Sequence, residues 1–171
     1  MSESTPKTTA ELLSRVDRAW EALEGTVSRL TPAQLTDVHD PAGWAVKDHL
    51  MHVAAWEAAF LGRFTGRPAH EVLGLDEAVL SQDEDTQNAA LFERHRHRSL
   101  TDVLDTARAN HRAARARLAA LGDHAVTGTL GDILPPSAGG GGDPAVSWIA
   151  GNTWEHYEAH HNWIRALVDR R

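Results

Sequence analysis

The chain has 171 residues, 17 Lys plus Arg against 24 Asp plus Glu, a formal charge of -7 and no cysteine. That length supports one hydrophobic core, and the missing thiol excludes disulfides, thiolate catalysis and Cys-held zinc, so any metal must sit on histidine and carboxylate. The basic residues gather nowhere beyond "ERHRHR" at 93–98, no stretch approaches the ~18 apolar residues of a membrane span, and the N-terminus lacks a signal-peptide pattern, so neither nucleic acid nor membrane is expected as a partner and a cytoplasmic protein is expected.

Four segments carry helical periodicity, at about 8–30, 44–64, 99–121 and 144–169. The first follows a cap at Thr8 or Thr9 and repeats Leu13, Val16, Trp20, Leu23, Val27 and Leu30 at steps of three and four. The second carries Val46, Leu50, Val53, Phe60 and Phe64 and stops at Gly66 and Pro68. About 34 residues from Thr65 to Arg98 separate it from the third, with a short helix expected inside "DEAVLSQDEDTQNAALFERH". That connection is too long for a tight antiparallel hairpin and implies a crossover. The third segment opens on the Ser99 and Asp102 pair and keeps Leu100, Leu104, Ala107, His111, Ala114, Leu118 and Leu121 in one stripe up to Gly122. Asp143 and Pro144 suit the start of the fourth, whose stripe is Val146, Ile149, Thr153, His156 or Tyr157, His160, Ile164 and Leu167. The pattern predicts an all-α four-helix bundle over residues 1–171 with one long crossover between the second and third helices. The glycine run 139–142 precedes no Lys-Ser/Thr pair and reads as a loop, not a phosphate cradle.

Histidine is concentrated in "NTWEHYEAHHNWI" at 152–164. His156 and His160 stand four residues apart, so their side chains leave one helix face about 6 Å apart, a spacing that lets two imidazoles share one metal ion. Buried imidazoles need partners, and three readings meet that need: hydrogen bonds to Tyr157, Glu155 or backbone, metal ligation, or acid–base catalysis without metal. In "DHLMHVAAWE" the second helix offers His52 as a third ligand near mid-helix, with His49 one turn earlier beside the site or at the surface. His161 is turned about 100° from His160 and lies off that face; His111 falls on the core stripe of the third helix. Trp44, Trp56, Trp148, Trp154 and Trp163 lie on or beside the same two helices, as core wedges or as walls of a pocket for a flat ligand.

Trp44 eight residues before His52 in "GWAVKDHLMHVAAWE", together with His156-x-x-x-His160 on the last helix, resembles the DinB-like four-helix-bundle superfamily, and most closely its ClbS/DfsB branch. The resemblance implies a divalent metal, zinc or nickel, held by His52, His156 and His160, though the branch need not keep the metal of the wider superfamily. It also implies protection against a genotoxin by hydrolysis of an electrophilic cyclopropane. On that reading the catalytic residues are His52, His156 and His160 with Tyr157 or Glu155 assisting, the pocket is lined by Trp56, Trp154 and His49, and the partner is a small electrophile or toxin. Two alternatives remain: a metal-dependent thiol transferase, and a non-catalytic protein that sequesters a toxin or forms a metal-stabilised homodimer.

Overall fold

A computed structural model of the chain describes residues 4–169. The helices, in order, are α1 (Thr9–Val27), α2 (Pro32–Thr36), α3 (Val46–Arg63), α4 (Ala69–Leu73), α5 (Glu77–Leu80), α6 (Glu84–His95), α7 (Leu100–Ala119), α8 (Asp123–Thr127), α9 (Leu130–Ile133), α10 (Ala145–Asn152) and α11 (Trp154–Val168). A 3-10 turn at Pro136–Ala138 precedes the glycine run. No strand forms among the described residues; pairing is limited to two isolated bridges, His39 with Ala45 and Thr129 with Pro144.

The long helices make an all-α bundle. Both α1 and α3 pack against α7 and α11, so the order around the bundle is α1, α7, α3, α11, with α1 and α3 on a diagonal. Two of the long helices start where a side chain takes an orphaned backbone donor: Thr8 of α1 accepts from Glu11 N–H at 3.2 Å, and Ser99 of α7 accepts from Asp102 N–H at 3.2 Å. In α1 the first buried residue is Leu12, one position before the Leu13 of the predicted stripe, and Val16, Trp20, Leu23 and Val27 follow it inward. The crossover between α3 and α7 is more helical than the sequence suggested, with α4, α5 and the twelve-residue α6 in place of one short helix. Asp83 caps α6 by accepting from Thr86 N–H at 2.8 Å.

The predicted fourth helix is two helices. At Thr153 the backbone leaves helical space, with φ -133° and ψ -103°. Thr153 is fully buried, and its hydroxyl donates to Ile149 O at 2.7 Å while its N–H turns to Ala150 O at 3.1 Å. The hydroxyl thus takes the carbonyl that the next helical turn would use, and the ladder resets. The start of α10 also differs: Pro144, not Asp143, occupies the N-cap position. After the break, α11 buries Trp154, Tyr157, His160, Ile164 and Leu167.

α3 is the helix most covered by its neighbours, packing on α7, α4, α11, α6 and α2. Thirteen of its eighteen residues are buried, and four of those, Asp48, His49, His52 and Glu57, are polar. A helix enclosed all round is normally apolar all round. Asp48 is satisfied locally, accepting from Ala45 N–H at 2.9 Å and from Lys47 Nζ at 3.2 Å. The other three define two polar sites inside the bundle.

Candidate metal centre and its cavity

The approach to α3 is a tight turn, "DPAG", with Asp40 first, proline second and Gly43 fourth, as such turns favour. Gly43 has φ +87° and its N–H donates to Asp40 O at 2.9 Å. The turn is locked from both sides, because Asp40 N–H donates to Trp44 O and Trp44 N–H donates to Asp40 Oδ1, each at 2.9 Å. Two side chains are thereby aimed at α3. The second carboxylate oxygen of Asp40 lies 3.4 Å from His49 Nε2. Trp44 stacks nearly parallel on Phe92 of α6, 5.4 Å between ring centres, and lies 5.3 Å from His49 and 5.4 Å from His52.

Because α3 and α11 are neighbours, the histidines of both meet. Ring centres of His52 lie 5.2 Å from His156 and 4.8 Å from His160, and those of His156 and His160 lie 4.7 Å apart. One nitrogen from each of the three falls within 4.8 Å of the other two. His49 joins the group through its Nδ1, 3.2 Å from His160 Nδ1. Burial pushes His52 down to about 3, with the other imidazoles adding to the effect, and pushes His156 down to about 4. Desolvation, then His156, His52 and His49, holds His160 well below the usual imidazole range. His49 is also lowered by burial, against the opposing pull of Asp40 and Asp48.

The cluster therefore offers neutral imidazoles, the form that binds metal. Moreover, His52 Nδ1 is buried without a hydrogen-bond partner, a costly state that a cation or a hydrogen-bonding ligand would relieve. Donor type, spacing and the orphaned nitrogen all fit a divalent ion on three histidines, which leaves room for exogenous ligands. Among the described residues this is the one group of three or more such side chains placed to hold a metal.

The three histidines form one wall of a cavity of about 390 Å³, whose other walls include Asp40, Trp44, Glu84, Asn88 and Trp163. A second hollow of about 400 Å³ shares His52, Glu84, Asn88 and His156 and adds Trp56, so an open groove crosses the cluster. Among its described lining residues are two carboxylates and no lysine or arginine.

The DinB superfamily pattern matches residues 15–164. The chain belongs to the DinB superfamily. Solved DinB-like structures cover nearly all of it. An uncharacterised protein from Escherichia coli UTI89 is 16% identical, with TM-score 0.72 over 98% of this chain and 96% of the other. The colibactin self-resistance protein ClbS, crystallised in complex with a dsDNA, is 12% identical, with TM-score 0.73 over 98% and 99%. DfsB, described as a sibling lethal factor precursor, is 14% identical, with TM-score 0.72 over 98% and 97%. At such identities the likeness is one of fold. No curated protein sequence matches. The ClbS complex corrects the expectation that net charge excludes nucleic acid from this fold. A formal charge of -7 sums the whole chain, whereas phosphate contact depends on the cations of one face. No helix of the DinB protein is long and apolar enough to cross a membrane among the described residues.

Not every predicted site residue of this DinB protein reaches the cavity. His49 does, and Trp56 lines the second hollow, 6.2 Å from His52. Trp154 and Glu155 do not; they line a separate polar cavity with Arg15 and Arg18. The reason is helical arithmetic: at 100° per residue Trp154 lies about 200° from His156 and Glu155 about 100° away. Tyr157 points into the bundle and is fully buried. Its hydroxyl donates to Glu57 Oε1 and lies 3.4 Å from His111 Nδ1, while the His111 ring stacks on Trp20 at 4.1 Å. Burial raises Glu57 to about 8 and lowers His111 to about 4. This second polar cluster escaped the sequence reading, although a glutamate inside "VAAWEAAF" was its visible sign. Asp40 and Glu84 were also missed; the "DPAG" turn was the available cue for the first. His161 lies off the cluster, its Nε2 2.9 Å from Thr26 Oγ1.

Proposed function

We propose that the protein is a small cytoplasmic hydrolase of the ClbS/DfsB type, which opens an electrophilic, cyclopropane-type metabolite at the three-histidine groove. The observation that carries this reading is the meeting of His52, His156 and His160, within 4.8 Å, on the wall of an open cavity. The substrate class is carried over by analogy from ClbS, a colibactin self-resistance protein of the same fold. In ring opening, the oxygen of water bonds to a ring carbon, the ring C–C bond breaks, and its electron pair passes to an adjacent carbonyl as an enolate. One proton leaves the water and one reaches the enolate, so the product is the substrate plus one water.

Each wall has a part in that reaction. Trp44 and Trp163 flank the groove and give a flat electrophile an apolar seat. Glu84, exposed and shared by both hollows, takes the proton from the attacking water. His52, His156 and His160 would hold the zinc or nickel that the superfamily implies, and a bound divalent ion supplies Lewis acidity toward a carbonyl oxygen. Tyr157 and Glu155 take no part, the first being sealed inside the bundle and the second facing another cavity. With no lysine or arginine among its described lining residues, the groove favours a neutral or cationic substrate over an anionic one.

The test is incubation of the metal-loaded protein with an activated spirocyclopropyl ketone, followed by mass spectrometry. A product heavier by one water, lost in His160→Ala and Glu84→Gln, is expected. Consumption only with added low-molecular-weight thiol would replace hydrolysis by thiol transfer, and stoichiometric binding without product would leave a sequestering protein.

A further inference from the structure

Asp40 and His49 are placed to decide which nitrogen of His160 carries its proton. An aspartate carboxylate only accepts hydrogen bonds. Its Oδ2 lies 3.4 Å from His49 Nε2, near enough to favour the tautomer with the hydrogen on that nitrogen. A neutral His49 then has a bare Nδ1, and this atom faces His160 Nδ1 at 3.2 Å. Two nitrogens in contact share one proton, so the hydrogen belongs to His160 Nδ1. The nitrogen of His160 left with a free lone pair is Nε2. The reverse arrangement would set the bare Nε2 of His49 against a carboxylate. Asp40 itself is held in place by the turn, with Trp44 N–H on its other oxygen at 2.9 Å.

We propose that Asp40 and His49 are positioning residues, a hydrogen-bond relay that fixes His160 in its Nδ1–H tautomer and presents Nε2 as the metal-binding nitrogen. The proposal deepens the three-histidine reading above and rests on it for the ligand role of His160. Partners of this kind orient a ligand ring and raise its basicity, and their loss commonly weakens metal binding 10- to 100-fold. Here the carboxylate acts through an intervening imidazole, so its influence reaches His160 from a different element, the turn before α3.

Asp40→Asn tests it with little change of shape. The asparagine oxygen must stay on Trp44 N–H, which turns the amide NH2 toward His49 Nε2 and reverses every donor along the relay. Long-range 15N–1H correlation spectra of metal-free protein report each ring's tautomer, and competition against a chromophoric chelator reports zinc affinity. In the wild type, His160 is expected as the Nδ1–H form and His49 as the Nε2–H form. In Asp40→Asn both are expected to reverse, with zinc bound about 10- to 100-fold more weakly. A wild-type His160 in the Nε2–H form, a doubly protonated His49, or unchanged tautomers in the variant would overturn the relay. The wild-type spectrum decides alone if the variant does not fold. Expected tautomers without zinc uptake would sink the metal reading and leave the relay standing; zinc uptake with the opposite tautomers would do the reverse.

Discussion

Glu57 gives the sharpest test of the interior, and the perturbation is Glu57→Gln. The carboxyl is fully buried, burial raises it from 4.5 to about 8, and Tyr157 O–H donates to one oxygen while the other has no partner. In the folded protein at neutral pH it is therefore a neutral acid. The unfolded chain ionises the same group near 4.5, so the unfolded state binds fewer protons above that value and stability falls as pH rises. This is a raised pKa: its contribution is fully present below 4.5 and declines until the folded form itself titrates near 8. Each pH step of one costs about 1.4 kcal/mol, so at about pH 7.5 the accumulated loss approaches roughly 4 kcal/mol. Glutamine keeps the carbonyl that Tyr157 donates to and cannot ionise in either state. Glu57→Gln is expected to match the wild type in urea melts near pH 4.5 and to exceed it by about 2–4 kcal/mol near pH 7.5. Taking the difference between the two proteins removes the separate pH dependence of the buried histidines. A difference that stays flat from pH 4.5 to 8 would refute the assignment of a protonated carboxyl.

Other consequences are checked by similar means. His52→Ala, His156→Ala and His160→Ala should each abolish stoichiometric zinc or nickel in elemental mass spectrometry of untagged protein, whereas Trp154→Phe and Glu155→Gln, which face a different cavity, should leave it unchanged. Thr153→Val removes the hydroxyl that donates to Ile149 O and leaves that carbonyl unpaired in the core, at an expected loss of about 1–3 kcal/mol by thermal melt. Trp20→Ala empties a buried ring that stacks on His111 at 4.1 Å, with an expected loss of about 3–5 kcal/mol in chemical denaturation. Below pH 6.5 the wild type should lose stability as the pH falls toward 4, because His156 and His111 stay neutral when folded and charge when unfolded; pH-jump fluorescence melts read that slope.

The bundle was legible because apolar residues at steps of three and four report a helix face directly, and in α7 the predicted stripe from Ala107 to Leu118 is the buried one. The pair at i and i+4 gave the direction of His156 and His160, and their meeting with His52 needed only that α3 and α11 be neighbours. What pattern alone did not reveal depends on single atoms. One hydroxyl at Thr153 resets the phase of the last helix, and nothing in the periodicity marks it. Asp40 matters only after the "DPAG" turn folds back on α3. Trp154 was placed in the pocket by nearness in sequence, whereas rotation about the helix axis carried it to the opposite side.

Trp163 is the large hydrophobic side chain left open to solvent among the described residues, 55% exposed, with its ring centre 4.7 Å from that of His160. The other five indoles of the chain are buried or half-buried. A water-facing indole emits at longer wavelength than a sheltered one, so the red edge of the emission spectrum belongs chiefly to this ring. The protein thus carries its own optical tag at the mouth of the groove. Filling the groove shields Trp163 and moves that edge toward the blue, which converts any library of unlabelled small molecules into a direct screen for what the cavity accepts.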